Sequence, residues 1–248
     1  MSYSETGHAQ NAAKFKIVIT KVTAIGGIYN PSKVLIKLPA INTLSTNADA
    51  AILAVDNAYT PWSKKVGLRE EAFSPLSQLV TNVINALQAT DASAKTIKDA
   101  KALEKKIQGT RATPKAKPTI PPPLVPIIYI SASQLQFDSR IENFIKLIIL
   151  LTSEPEYIPN EIELAIAGLT AFLNTMKSTN TDVIAAEATL TQARKARNIV
   201  LYLPVTGLYD IQTAIKKYIR SISTQKELYN QLTKIKFSQL PKKLRPVA

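Results

Sequence analysis

The sequence predicts an all-α protein: two tandem antiparallel helical bundles, each of three or four helices with one long, joined by a proline-rich linker. Three observations predict it. The first is an internal repeat. Tyr29-Asn30-Pro31-Ser32 reads onto Tyr157-Ile158-Pro159-Asn160 at an offset of 128, and the same offset sets Ile41 on Leu169, Val55 on Val183, Trp62 on Leu190 and Arg69 on Arg197. One residue more sets Pro75 on Pro204 and Leu79 on Leu208. A single shift held over more than forty residues marks a tandem duplication. The second is apolar spacing in steps of three and four, the period of a helix face. The third is the segment from Gly109 to Pro126, whose prolines include Pro121-Pro122-Pro123. Consecutive prolines exclude a helix and favour an extended, semi-rigid spacer. The expected division is therefore repeat one at 1–108, linker at 109–126, repeat two at 127–237 and a basic tail at 238–248.

Each repeat opens on a helix. Phe15, Val18, Ile19, Val22 and Ile25 step helically, although Lys14 to Ile17 also alternates like a strand. The second copy decides between them, because Phe137, Ile141, Phe144, Ile148 and Leu151 step 4-3-4-3. A turn follows at Gly26-Gly27 and at Ser153-Glu154-Pro155. A long helix is expected next, capped by Asn160 with Glu163 three residues on, and by Ser32 in the first copy. In repeat two it runs through Ile162, Ile166, Leu169, Leu173, Met176, Asn180, Val183 and Leu190. Such a helix of ~38 residues would be ~57 Å long. Its first copy carries Pro39 and Pro61, which are expected to bend or break it. Ser74-Pro75 and Pro204 to Gly207 mark the next starts, with Thr206 expected as a cap. Two shorter helices then follow in each copy, through Leu76 to Leu87 and Ile97 to Ile107, and through Leu208 to Ile222 and Leu228 to Ile235.

Composition narrows function by exclusion. Cysteine is absent and His8 is the sole histidine, placed in a polar N-terminal stretch. Disulfides, thiolate nucleophiles and thiolate metal sites are excluded, and a histidine triad or histidine-rich metal site has almost nothing to draw on. The expectation is a protein that is not an enzyme, with no cofactor and no metal. No apolar run approaches the ~20 residues of a membrane span. The first residues lack the charged start and apolar middle of a signal peptide, so a cytoplasmic location is expected.

The net charge of +13 is uneven. Residues 95–126 carry +6 and residues 234–248 carry +5, whereas 127–233 sum to zero. The candidate anion contacts are therefore Lys95, Lys98, Lys105 and Lys106, with Lys101 beside them, then Arg111, Lys115 and Lys117, and finally Lys242, Lys243 and Arg245. Their bland alternative is a solvated helix face and a solubilising tail. Arg69 and Arg197, with Pro75 and Pro204, are repeat-equivalent and read as structural: cations near a helix end complement its dipole. An anion contact is the alternative for the two arginines. Glu154, Glu156, Glu161 and Glu163 read as acids favoured near a helix start rather than as a cation site. Asn180 interrupts an apolar seam and reads as a register-setting polar residue. Trp62, Tyr202, Tyr209, Tyr218 and Tyr229 could stack on bases, but their spacing favours core packing.

Tyr157-Ile158-Pro159-Asn160-Glu161, the run Ala193 to Tyr202 and Thr233 to Phe237 resemble a group of small, uncharacterised helical proteins of Bacteroidetes-type bacteria. The resemblance covers about residues 130–237 and implies a helical fold, with no activity and no site residues. The function expected from all this is a structural or interaction protein, a subunit of a larger assembly, with protein partners or self-association. The alternative is a sequence-independent binder of nucleic acid or an anionic surface through the basic linker and tail.

Overall fold

The computed structural model describes residues 6–109 and 135–240. Among them there are eight α-helices, three short 3-10 turns and no strand, so the chain is all-α. The helices are α1 (Thr6–Thr23), α2 (Leu38–Phe73), α3 (Leu76–Gln88), α4 (Ala94–Gln108), α5 (Phe137–Thr152), α6 (Ile166–Tyr202), α7 (Leu208–Ser221) and α8 (Lys226–Lys234). None of the described helices is long and apolar enough to cross a membrane.

The chain forms two compact units that do not follow the expected repeats. One comprises residues 1–62 and 186–248, the other 63–185. The reason is helix length. At 36 and 37 residues, α2 and α6 are each about 55 Å long, more than one small core can cover. Each long helix therefore contributes its first part to one unit and its second part to the other. The expected linker beyond Gly109 and the basic tail beyond Leu240 lie outside the described residues.

The inner unit, 63–185, has a core in which Phe73, Leu76, Val80, Val83 and Leu87 meet Phe144, Leu147, Leu151, Leu169 and Met176. Here α4 packs on α3 and α5. The end of α2 runs antiparallel to the start of α6: Lys65 pairs with Asp182 at 2.6 Å and Arg69 reaches Asn180 at 3.2 Å. In the outer unit Phe15, Val18, Val22, Ile36 and Ile41 meet Leu201, Leu208, Ile211, Ile215 and Ile219. There α7 packs on α1 and α8.

Several local expectations are corrected. Ser32 and Asn160 do not cap the long helices, which begin later, at Leu38 and Ile166. The intervening residues fold into tight turns instead. The Tyr29 hydroxyl donates to the Ile36 carbonyl at 2.7 Å, and the Tyr157 hydroxyl donates to the Leu164 carbonyl at 2.9 Å. Each buried tyrosine thus claims a carbonyl seven residues on and holds the turn shut. Gly168 is needed beneath the second turn, because a Cβ there would strike the Ile162 carbonyl oxygen. The four glutamates at 154–163 lie in this turn rather than in the first turn of α6.

Neither proline breaks α2. Pro39 is its second residue, where the backbone N–H has no helical partner in any case. Pro61 lies inside the helix and deprives the Asn57 carbonyl of its donor. Asn57 and Pro61 are both exposed, so water can take that bond.

Pro75 sits at the start of α3 with helical backbone angles, one residue from the expected boundary. Thr206 is not the cap of α7; Gly207 is, and the Val205 N–H is bound instead by the Asp210 carboxylate at 2.8 Å. A Cβ on Gly207 would lie 2.6 Å from the Leu203 nitrogen. Val205 in this reversal has φ +71, a left-handed conformation that a β-branched residue resists. Replacing exposed Val205 by asparagine should raise stability by about 1 kcal/mol and Tm by about 2–4 °C, read by thermal denaturation.

Candidate functional site

In the outer unit the start of α1 meets the end of α6 through buried polar side chains. His8, Asn11, Arg197 and Tyr202 are all nearly sealed from solvent. Asn11 Nδ2 donates to the Tyr202 hydroxyl at 3.1 Å and to the Ser238 carbonyl at 2.8 Å, while its Oδ1 accepts from the Ser238 N–H at 3.0 Å. His8 Nδ1 lies 2.8 Å from the Tyr202 hydroxyl. The Tyr202 oxygen thus takes the Asn11 bond and the contact with His8 Nδ1, in which the imidazole tautomer sets the donor. Burial raises the Tyr202 pKa, against the Asn11 bond and the Arg197 charge. Arg197 donates to Asn198 Oδ1 at 3.0 and 3.2 Å.

The inner unit carries an apolar counterpart. Phe137, at the start of α5, meets Phe73, at the end of α2, edge to face at 4.8 Å; His8 and Tyr202 meet in the same manner at 5.6 Å. The Arg69 guanidinium lies 3.9 Å over Phe137 and donates to Asn180 Oδ1, and Asn180 donates on to Asp138 at 2.7 Å. Arg69 therefore holds a helix junction through side chains, whereas the hydrogen bonds from Arg197 to Asn198 stay within α6. Asn180 is buried and fixes α6 against α2 and α5.

The four tyrosines are placed in or against a core, whereas Trp62 is in neither core and rests on exposed Tyr59. Tyr202, Tyr209, Tyr218 and Tyr229 belong to the outer core, and Trp62 tilts against Tyr59 at 5.5 Å. Among the lysines, Lys95, Lys98, Lys101, Lys105 and Lys106 are exposed on α4. Glu104 on the same helix turns away from them, accepting from Thr81 and Gln108. Arg111, Lys115, Lys117, Lys242, Lys243 and Arg245 lie outside the described residues. Among the described residues no group of three or more acidic, histidine or cysteine side chains is placed to hold a metal ion.

Two further features are geometric. The tyrosine-clamped turns expose large apolar side chains: Val34 at 68% and Ile162 at 83%, again 128 residues apart, with Ile158 at 81%. Beside the second turn, between it and α3, lies a groove of about 410 Å3 that includes Asn82, Asn85, Ala86, Tyr157 and Glu161 in its lining.

No family model, no curated protein and no solved structure matches this chain. The site must therefore be read from its own chemistry.

The clamps make that chemistry pH-dependent. Burial, and secondly the Glu161 charge, push the Tyr157 phenol up to about 12, and burial raises Tyr29 further, aided by Tyr218. A phenol whose folded pKa is raised contributes its stability in full below its unfolded value of 10.0 and loses it as pH rises through the folded one. The unfolding free energy read from urea titrations should therefore fall between about pH 10 and 12, by about 2 kcal/mol for Tyr157 alone. A variant with Tyr29→Phe and Tyr157→Phe should start lower and show a shallower decline.

Sequence reasoning missed the buried role of His8 and the groove. The first had a signal: continuing the stripe Phe15, Val18, Val22 backwards in steps of three and four reaches Asn11 and His8. The second had none, since it arises from what a distant turn leaves uncovered.

Proposed function

We propose that this chain is a non-enzymatic interaction protein, a subunit of a larger assembly, whose two antiparallel bundles arose by duplication of one helical module. The paired exposed apolar turns carry this reading. Val34 and Ile162 stand at matching places on turns held by the same tyrosine-to-carbonyl bond, one in each unit. A side chain that a rigid turn keeps in water loses the benefit of burial, about 1.5–3 kcal/mol for a residue of this size. Rigid, repeated apolar knobs with polar surroundings suit association with a partner or another copy. The sole histidine is engaged in a structural hydrogen bond, which also favours a non-catalytic use. Light scattering after size exclusion, over a range of concentrations, tests the reading. The mass of the wild-type chain should rise with concentration, and the double variant Val34→Asp, Ile162→Asp should remain monomeric. A wild-type monomer at every concentration rejects self-assembly.

A second reading is supported by α4. Five exposed lysines share this helix with one exposed carboxylate, Asp99, while Glu104 is bonded to Thr81 and Gln108, so the helix carries a surplus of positive charge. Such a helix neutralises phosphates without reading sequence, and the binding falls steeply with salt. Duplex DNA, RNA and anionic vesicles tested at ~50 mM salt discriminate it: failure of all three leaves the charge as solubilising.

A further inference from the structure

The two units differ at one matching place. Buried Leu76, Val80, Val83 and Leu87 match buried Leu208, Gln212, Ile215 and Ile219, a register that sets Leu76 rather than Leu79 on Leu208 and Ala86 at the place of Tyr218. In the outer unit Tyr218 closes the space between α7 and the clamped turn. Its ring meets Tyr29 edge to face at 5.5 Å, and its hydroxyl oxygen accepts the Asn30 N–H at 3.2 Å. That N–H is shared with the Ile28 carbonyl at 3.2 Å.

In the inner unit Ala86 stands in the place of that tyrosine, and the space beside Tyr157 is the groove of about 410 Å3. The backbone repeats as well. The Ile158 N–H, 128 residues after Asn30, bonds the Glu156 carbonyl at 3.1 Å, but the second bond, the one made to a phenol, has no counterpart among the described residues. Asn82 and Asn85 are exposed on α3 beside the groove, three residues apart and so on one helix face. Glu161 lines it, and Glu156 and Glu163 are exposed on the same turn. None of these three carboxylates has a salt bridge among the described residues.

We propose that this groove is a peptide-docking site that takes a tyrosine side chain from a basic segment of a protein partner. It rests on the reading of the chain as an interaction protein and names the partner's chemistry. The outer unit supplies the template: the incoming ring packs edge-on against Tyr157, and its oxygen accepts from the Ile158 N–H as Tyr218 accepts from Asn30. Asn82 and Asn85 accept at Oδ1 from Gln78 and Gln88, and their Nδ2 groups are able to donate to backbone carbonyls of the segment. Lysines or arginines flanking the tyrosine lie against the glutamates of the turn, which sets the sign of the partner's charge.

Fluorescence anisotropy with the full-length protein tests this. The probe is a labelled peptide of sequence Lys-Lys-Ser-Tyr-Ser-Lys-Lys, compared with versions carrying alanine or phenylalanine for tyrosine and glutamate for lysine. The tyrosine peptide should bind with a Kd on the order of 100 µM or tighter, and the alanine peptide at least about tenfold more weakly. Phenylalanine should cost about three- to tenfold through the lost hydrogen bond. The glutamate peptide should not bind. Ala86→Tyr should fill the groove as Tyr218 does in the outer unit, keep or raise Tm, and abolish binding. Should Ala86→Tyr fail to fold, the exposed pair Glu161→Lys, Glu163→Lys still decides, with an expected loss of at least about tenfold. Equal binding of the alanine peptide, or undiminished binding by either variant when folded, overturns the proposal. Light scattering on the same samples reports self-association separately, so failure of the groove and failure of the assembly reading are distinguishable.

Discussion

Cutting the chain between α4 and α5, at a protease site inserted after Lys117, is expected to leave the two pieces bound together. They should elute as one species with native circular dichroism and separate only in denaturant. The expectation follows from how the cores are shared. In the inner unit Phe73, Leu76, Val80, Val83 and Leu87 come from the first piece, while Phe144, Leu147, Leu151, Leu169 and Met176 come from the second. The outer unit likewise joins Phe15, Val18, Val22 and Ile41 to Leu201, Leu208, Ile215 and Ile219. Pulling the pieces apart exposes about ten large apolar side chains in the inner core alone, each worth about 1.5–3 kcal/mol when buried. That sum, about 15–30 kcal/mol, outweighs what is lost when association becomes bimolecular, about 4–15 kcal/mol, and the outer core adds to it. Two independent modules divided at 108 and 127 would instead drift apart after the cut, so co-elution or separation decides the organisation directly.

Asn11→Ala is expected to destabilise the outer unit by about 2–4 kcal/mol. Asn11 is fully buried and makes three hydrogen bonds, two to the backbone of Ser238 and one to Tyr202. Alanine removes a donor from the buried Tyr202 oxygen, a loss of about 1–3 kcal/mol, and frees the part-buried Ser238 N–H and carbonyl, whose bonds water replaces in part. The loss is local in origin. Amide exchange should accelerate first at residues 236–240, whose only buried apolar anchor is Leu240. Uniform exchange across both units after the substitution would contradict this assignment.

The sequence by itself determined the helices, because a helix face is written in local spacing. The steps of Phe144, Ile148 and Leu151, and of Leu208, Ile211 and Ile215, mark residues that turn to one side whatever lies opposite. It also determined the matched turns at Gly26-Gly27 and Ser153 to Pro155, ahead of the two tyrosines, and the charge surplus on α4. Helix starts were less legible, since Asn160 and Ser32 are good caps that lose their place to a tyrosine hydroxyl seven residues from the carbonyl it claims. Proline punctuation misled for a related reason: Pro61 removes one hydrogen bond at an exposed turn, a cost that a helix packed on both sides of it absorbs. Only the tertiary structure decided which helices share a core. Apolar stripes state that a face must be covered but not by what, and α2 and α6 satisfy that demand by dividing themselves between two units. It also decided that His8, in a polar-looking stretch, is buried against Tyr202, and that Ala86 leaves open beside Tyr157 what Tyr218 closes beside Tyr29. Those outcomes depend on pairs of residues far apart in the chain, and no local pattern carries the identity of a distant partner.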